Sequence, residues 1–126
     1  SIMEACISSI LYKKLISIEK QQFEQNINTY ILNHLTEDLS VDRLCEQLHL
    51  SRRKIYEYSE EFLHCSIAKY IKKMRLQYAQ TLLTKTILPI STISEQCGFS
   101  DYNYFCRVFK QENGMSARSY RTAQQT

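Results

Sequence analysis

An internal repeat constrains the fold of this chain more than any other feature of its sequence. The segment Val41–Leu50 aligns with Ile90–Phe99, with apolar residues at the first, fourth, eighth and tenth places and Glu-Gln at the sixth and seventh. Beyond these segments and after one extra residue, Ile55 matches Phe105 and Tyr58 matches Val108. Each copy predicts a short helix, a tight turn and a capped amphipathic helix, which is the helix-turn-helix pattern.

The scarcity of helix breakers predicts that the rest of the chain is also helical. Its 126 residues include only two Gly and one Pro, which argues against a fold rich in strands. No apolar run approaches the roughly 18 residues of a membrane span, and no signal peptide is apparent. We therefore expect an all-α protein without a membrane partner, working in the cytoplasm.

Helical periodicity outside the repeats predicts three further elements. An amphipathic helix is expected over residues 2–17, and a second begins at about Gln21 and ends near Thr36. A long helix over about 66–84 has apolar residues on two opposite sides, which is typical of a strut buried between two units. The broad apolar side of the first helix has to pack on its own domain, on a second copy or on an upstream domain.

The second helix of each repeat has an apolar face and a polar face. In the second copy Phe105, Val108 and Phe109 share one face, while Asn103 and Arg107 lie opposite. In the first copy, three consecutive basic residues, 52–54, stand at a helix start, where the macrodipole does not favour cations. Contact with phosphates or bases explains them better than helix stability does.

Charge is distributed unevenly along the chain. Residues 1–50 carry four Lys/Arg and seven Asp/Glu, whereas residues 51–126 carry twelve Lys/Arg and six Asp/Glu. The net charges of the two parts are therefore −3 and +6, within a formal total of +3. A basic C-terminal part suits a polyanionic partner.

The cysteines and histidines do not form a recognisable metal or catalytic motif. Five cysteines lie far apart without a C-x-x-C pair, no histidine stands three or four residues from another histidine, and only His49 stands at that distance from a cysteine, Cys45. We expect free, buried thiols, no metal and no cofactor. Neither a glycine-rich phosphate loop nor an H-E-x-x-H motif is present, so we do not expect an enzyme.

The spaced residues of the two repeats resemble the DNA-binding domain of the AraC/XylS family of bacterial transcription regulators. The strongest match runs from Ile90 through Gly98-Phe99-Ser100-Asp101 and Tyr104–Lys110 to Gly114, Ser116 and Tyr120-Arg121. Supporting matches are Leu44, Leu48–Ser51, Tyr70-Ile71, Arg75-Leu76, Ala79 and Leu82-Leu83. The resemblance covers about residues 26–122.

This resemblance implies seven helices in two helix-turn-helix subdomains joined by a long bridging helix. It implies sequence-specific binding of double-stranded DNA at promoters, usually as an activator that touches RNA polymerase. Residues 21–126 are expected to form the DNA-binding domain, with helix-turn-helix units at about 40–63 and 90–112. Residues 1–20 are expected to form a linker or N-terminal helix, the end of an upstream sensing or dimerisation domain. A homodimer could form through that helix or through the upstream domain.

We expect the two recognition helices, about 52–63 and 101–112, to enter adjacent major grooves, and we assign two kinds of DNA contact to them. An arginine can grip guanine O6 and N7, an asparagine suits adenine, and a glutamate can accept from cytosine. The expected base-contacting residues are Arg53, Tyr56, Glu57, Tyr102, Asn103, Cys106 and Arg107. The expected phosphate-contacting residues are Ser51, Arg52, Lys54 and Lys110.

Alternatives remain open for single residues and for the whole chain. Glu57 could pair only with Arg53 on the same helix face, Tyr56 and Tyr102 could be packed rim residues, and Cys106 could be an inert side chain. The alternative function is a helical protein-interaction or dimerisation module.

Three departures from the family pattern also affect the expectations. Ala117 replaces the usual Pro, which predicts a looser last turn. In the first repeat, His64 replaces the usual Gly and Ser59 the usual Phe, which predicts a less rigid first unit.

Overall fold

The computed structural model describes residues 2–125 and is all-α over that range, as predicted. The described residues form seven α-helices: α1 Ile2–Asn33, α2 Val41–Leu48, α3 Arg52–Tyr58, α4 Ile67–Lys85, α5 Ile90–Gln96, α6 Tyr102–Asn113 and α7 Ala117–Gln124. A single π-helical segment, Ser59–Leu63, extends α3. The predicted pair of helix-turn-helix units, α2–α3 and α5–α6, with a long helix between them, is confirmed.

Residues Ile2–Asn33 form one helix, so the prediction of two separate helices here is wrong. The sequence between the two expected helices contains strong helix formers such as Glu19 and Lys20 and no Gly or Pro. What changes there is the side of the helix that is apolar, and such a change interrupts the apolar period without ending the helix.

The chain divides into two compact units, each containing one helix-turn-helix. The first unit comprises Ser1–Tyr30 and Ser40–Ile67. Its buried residues include Ile27, Leu44 and Ile55, none of which has measurable exposure. The ring of Phe23 packs against Tyr58 and Phe62, with ring centroids 5.2 and 6.2 Å apart. These contacts place α3 on α1.

The second unit comprises Ile31–Leu39 and Ala68–Thr126 and has its own aromatic core. Successive ring contacts at 5.1, 5.8 and 5.6 Å join Phe99 to Phe105, Phe105 to Phe109, and Phe109 to Tyr120. On α4, residues from both apolar sides are buried, namely Ile71, Met74, Leu76, Ala79 and Leu83. The predicted burial of both sides of this helix is confirmed.

Short polar side chains cap four of the helices. Ser40, Ser51, Asp101 and Ser116 each accept a hydrogen bond from the backbone N–H three residues later. This bond satisfies one of the free donors in the first helical turn. The capped second helix predicted in each repeat is confirmed, with Ser51 as the cap of α3 and Asp101 as the cap of α6.

Left-handed residues end the helices of both repeats. Gly98 and Gly114 have φ angles of 92° and 73°, while His49 and His64 have φ angles of 56° and 58°. The two histidines therefore occupy left-handed positions that correspond to the two glycines of the second repeat. Only glycine adopts this conformation without a steric cost.

Candidate nucleic-acid interface

Helix α6 buries one face and presents the opposite face to solvent. Phe105 and Phe109 have no exposed surface and Val108 is nearly as buried, which fixes the rotation of the helix. The residues exposed on its other side include Tyr102, Asn103, Arg107 and Lys110, while Cys106 is half-buried at the edge. Four of the five side chains assigned to DNA from the sequence of this helix are thus brought together on its open face.

Tyr104 belongs to this face and was not identified from the sequence. Its side chain is exposed, its ring lies 6.2 Å from that of Phe99, and the guanidinium carbon of Arg107 lies 5.4 Å from its ring centroid. A cation over an aromatic ring is attracted by the ring quadrupole. Tyr104 therefore orients Arg107, and the spacing of three residues between them was the available sequence signal.

Tyr102 and Cys106 form a second pair on α6. A hydrogen bond to Cys106 is the main cause that raises the pKa of the Tyr102 hydroxyl, with a smaller contribution from desolvation. Arg118, at the start of α7, acts in the opposite direction. Because the hydroxyl stays protonated at neutral pH, it can donate a hydrogen bond to an acceptor on a base or a phosphate.

Helix α3 presents the expected residues of the first repeat. Arg53, Tyr56 and Glu57 are exposed, while Ile55 beneath them is fully buried. Arg53 donates from Nε to Oε1 of Glu57 at 3.0 Å, and Lys54 Nζ lies 3.8 Å from Oε2. Glu57 thus makes the intrahelical pair named above as its alternative role, and it offsets positive charge on the exposed face of α3.

The basic side chains at the start of α3 are held by local contacts. Arg52 donates from Nη1 to Oδ1 of Asp42 at 2.6 Å, which ties α3 to α2. A hydrogen bond to Tyr56 and then the Asp42 carboxylate raise the pKa of Arg52 above its ordinary value. The Lys54 ammonium lies 5.0 Å from the ring centroid of Tyr58. The side chain of Ser51 caps α3, so it contributes to helix stability in addition to any phosphate contact.

An open cleft of about 840 Å³ adjoins α3 within the first unit. Its lining residues are Arg53, Tyr56, Glu57, Ser59, Glu60, His64, Cys65 and Ser66. Three of them are expected to contact bases, so the cleft is continuous with the candidate reading surface.

The cysteines are free, as predicted, but the expectation that they are buried is wrong for most of them. Cys97 is buried, Cys45, Cys65 and Cys106 are half-buried, and Cys6 is exposed. Cys6 lies on the part of α1 that projects from the core, and Cys106 lies at the edge of an open helix face. Between residues 2 and 125, no set of three His, Cys, Asp or Glu side chains is grouped as a metal site.

The helices of residues 2–125 include none with the length and apolar character needed to cross a bilayer.

Comparisons with known proteins match this region of the chain. The profile of a family described as "Helix-turn-helix domain" matches residues 44–123. The transcriptional activator RhaR of Salmonella dublin is 37% identical over 93 residues, which cover 74% of this chain and 33% of that protein. The chain therefore spans about a third of the length of the curated relatives it matches.

Solved structures show the same fold. The C-terminal domain of AraT, a response regulator from Geobacillus stearothermophilus, is 31% identical with a TM-score of 0.68, over 76% of this chain and 80% of that one. An AraC-type DNA-binding regulator from Chromobacterium violaceum is 24% identical with a TM-score of 0.78, over 85% of this chain and 96% of that one. At that identity the second likeness concerns the fold alone.

Proposed function

Because this chain belongs to the AraC-type helix-turn-helix family, we propose that it is a sequence-specific DNA-binding transcription regulator that inserts α3 and α6 into adjacent major grooves of a promoter. The observation that carries the proposal is the repeated arrangement of a buried apolar face and an exposed polar face on these two helices. A major groove about 12 Å wide admits one helix. Double-stranded DNA is thus the partner, and the family is a class of regulators rather than of catalysts.

The proposed base contacts follow from the exposed side chains of the two helices. On α3 they are Arg53, Tyr56 and Glu57, and on α6 they are Tyr102, Asn103, Cys106 and Arg107. Each good bidentate contact discriminates between bases by about 1–3 kcal/mol. Arg107 is the strongest candidate because the ring of Tyr104 holds its guanidinium beside the reading face.

The proposed phosphate contacts flank the reading residues. Arg52 and Lys54 stand in the first turn of α3, Ser51 caps that turn, and Lys110 stands in the last part of α6. Contacts of this kind position a protein on the duplex and do not read its sequence. They also make binding salt-dependent, because each releases counterions from the DNA.

We further propose that the regulator activates transcription, in contact with RNA polymerase, in the cytoplasm at the nucleoid. The curated relatives with 37% identity are named as transcriptional activators, which supports this direction of regulation. A transcription assay with purified polymerase checks it, on a promoter that carries the DNA sequence the protein selects from a random pool. A lower transcript level on adding the protein would mean repression.

We also propose that the domain begins near residue 21 and that the preceding residues serve association with a second copy. Large apolar side chains of the first 18 residues are at least half exposed: Ile2, Met3, Ile7, Ile10, Leu11, Tyr12, Leu15 and Ile18. Ile7 and the buried Phe23 lie roughly 160° apart around the helix at 3.6 residues per turn. The core that covers Phe23 therefore does not cover Ile7.

Sedimentation equilibrium tests this homodimer. Ile7→Asp should shift the protein towards monomer, whereas Ser9→Asp, at an exposed position on the opposite side of the same helix, should not. A parent protein that stays monomeric at 100 μM, on the order of the weakest useful association, argues against the dimer.

Selection of bound duplexes from a random pool tests the DNA-binding function. We expect two short enriched blocks about 10 base pairs apart, one helical turn of B-DNA. An Arg53→Ala variant should lose enrichment in one block only, and Arg107→Ala in the other. Enrichment of no sequence, together with no salt-dependent retention of random duplex, would favour a protein-interaction module instead.

A further inference from the structure

A cationic groove lies beside the turn of the second helix-turn-helix, within the second unit. It has a volume of about 440 Å³. Its lining residues are Ala68, Lys69, Ile71, Lys72, Arg75, Gly98, Phe99, Ser100 and Tyr104. These include three cations, two hydroxyl groups and no carboxylate. Helix α4, which supplies the cations, contains no acidic residue at all.

One of the three cations serves the fold. Arg75 donates from Nε to the carbonyl oxygen of Leu35 at 3.2 Å and from Nη2 to that of Glu37 at 3.1 Å. Burial lowers its pKa from the ordinary value, which is the sign of a guanidinium drawn away from solvent. Lys69 and Lys72, three residues apart on one side of α4, therefore supply the charge that the groove offers to a ligand.

Tyr104 makes the groove continuous with the reading face of α6. Its side chain lines the groove, and its ring lies beneath the guanidinium of Arg107. The side chain of Tyr104 thus contacts Arg107 and also lines the groove that contains Lys72. Ser100, immediately before the cap residue of α6, adds a hydroxyl donor to the same wall.

We propose that this groove binds a backbone phosphate of the duplex, with Lys72 as its principal cation and Lys69, Ser100 and Tyr104 as further donors. The inference rests on the proposed function. A helix in a major groove lies between the sugar–phosphate backbones of the two DNA strands. Lys110, near the C-terminal end of α6, serves one contact, and the groove at the other end of the helix serves the second. Ammonium and hydroxyl donors suit the phosphodiester oxygens.

Salt-dependent binding of a duplex by the full chain tests the proposal. Lys72→Gln removes the charge and keeps most of the stem, and Lys69→Gln does the same one turn away. Lys73→Gln is the matched control, because this exposed lysine is the neighbour of Lys72 on α4 and does not line the groove. Melting of each variant by circular dichroism checks that the fold is retained.

We expect Lys72→Gln to reduce the slope of log K against log salt by about 0.9 and to weaken binding about fivefold at 150 mM salt. The loss should be equal on specific and scrambled duplexes, and Lys72→Arg should restore the parent slope. Equal slope losses for Lys72→Gln and Lys73→Gln overturn the site, because they report only the general charge. If the parent binds DNA with a normal salt slope and Lys72→Gln has the same slope, the phosphate site in the groove is overturned, while the proposed DNA-binding function stands. A parent that binds no duplex overturns the proposed function as well.

A small phosphorylated ligand would use the same chemistry, and inorganic phosphate distinguishes that source. At constant ionic strength, 10 mM phosphate should not displace the duplex, since a single free anion lacks the other contacts of the strand. Displacement that is lost in Lys72→Gln would assign the groove to a free phosphate compound and overturn the assignment to DNA.

Discussion

Gly98 lies so close to the backbone of Leu35 that a Cβ atom on it would overlap the carbonyl oxygen of Leu35 and lie 2.8 Å from the carbonyl carbon. The same oxygen accepts the hydrogen bond from Nε of Arg75 at 3.2 Å. The turn of the second helix-turn-helix therefore packs directly against the backbone that follows α1. The carbonyl group of Leu35 makes both contacts, one with Gly98 and one with Arg75. Within this unit, the position of α6 depends on a glycine and an arginine far apart in sequence.

Gly98→Ala should destabilise the protein by about 3 kcal/mol or more. The φ angle of 92° is unfavourable for alanine, and the added methyl overlaps backbone atoms that cannot rotate away. Gly114→Ala is the matched control, because Gly114 also has a positive φ but has no neighbouring atom within 4 Å of the added Cβ. Its cost should be limited to about 1 kcal/mol of backbone strain. Urea unfolding of the two variants measures the difference, and equal losses would show that steric overlap at Gly98 is relieved.

Arg75→Ala should reduce the free energy of unfolding by about 2–4 kcal/mol, since it removes two charged hydrogen bonds to carbonyl oxygens. Arg75→Lys should recover only part of this, because one ammonium does not reproduce the planar fork.

Arg121 makes the analogous pair of contacts to Leu83 and Thr86 and should show the same order of variants. Urea midpoints at constant slope provide the comparison. Full rescue by lysine would mean that charge, and not fork geometry, supports the turn.

His49 and His64, which both have positive φ angles, should make the first repeat less stable than glycine at the same two positions would. His49→Gly and His64→Gly each remove a left-handed cost of about 1–2 kcal/mol and add an unfolded-state cost of about 0.5–1 kcal/mol. We expect a net gain of about 0.5–1 kcal/mol at each site. His34, the third histidine, is not among the positive-φ residues and pairs with Glu37, so His34→Gly should destabilise. Thermal melting of the three variants checks the signs.

Local patterns in the sequence were sufficient to predict most of the fold. The period of the apolar residues predicted the helices of both repeats, and the repeat itself predicted their pairing. The pattern failed on α1, where the apolar side rotates while the backbone continues without a break. It also did not predict the π-helical segment, in which the buried hydroxyl of Ser59 donates to the carbonyl oxygen of Ile55 at 2.6 Å.

The candidate interface was predictable only where it lies on a single helix. The exposed faces of α3 and α6 follow from periodicity, because each is opposite its own buried residues. The groove at Lys72 combines α4 with a turn from Gly98 to Ser100, and no sequence spacing joins two elements so far apart. The hydrogen bonds that Arg75 donates to backbone carbonyl groups could not be predicted either, because a backbone acceptor leaves no mark in the sequence.

Arg107→Ala and Lys110→Ala should differ in the kind of DNA binding that they impair. Loss of Arg107 should cost about 1–3 kcal/mol on the specific duplex and much less on a scrambled one. Loss of Lys110 should weaken both equally and reduce the salt slope by about one. Titrations of both variants on both duplexes decide the roles. A uniform loss for Arg107→Ala would assign it to the backbone, and an unchanged slope for Lys110→Ala would remove Lys110 from the phosphate contacts.

Alkaline pH should destabilise the protein through Cys97. Burial raises the pKa of this thiol from 9.0 to about 12, against a smaller opposing effect of Arg75. Above pH 9 the unfolded chain releases the proton while the native chain retains it, so stability falls as pH rises, by about 1.4 kcal/mol per pH unit up to the native pKa. Cys97→Ala should flatten this dependence between pH 9 and 10.5, whereas alanine at the exposed Cys6 should not. Urea unfolding across that range is the measurement, and parallel curves for the parent and Cys97→Ala would mean that the thiol ionises equally in both states.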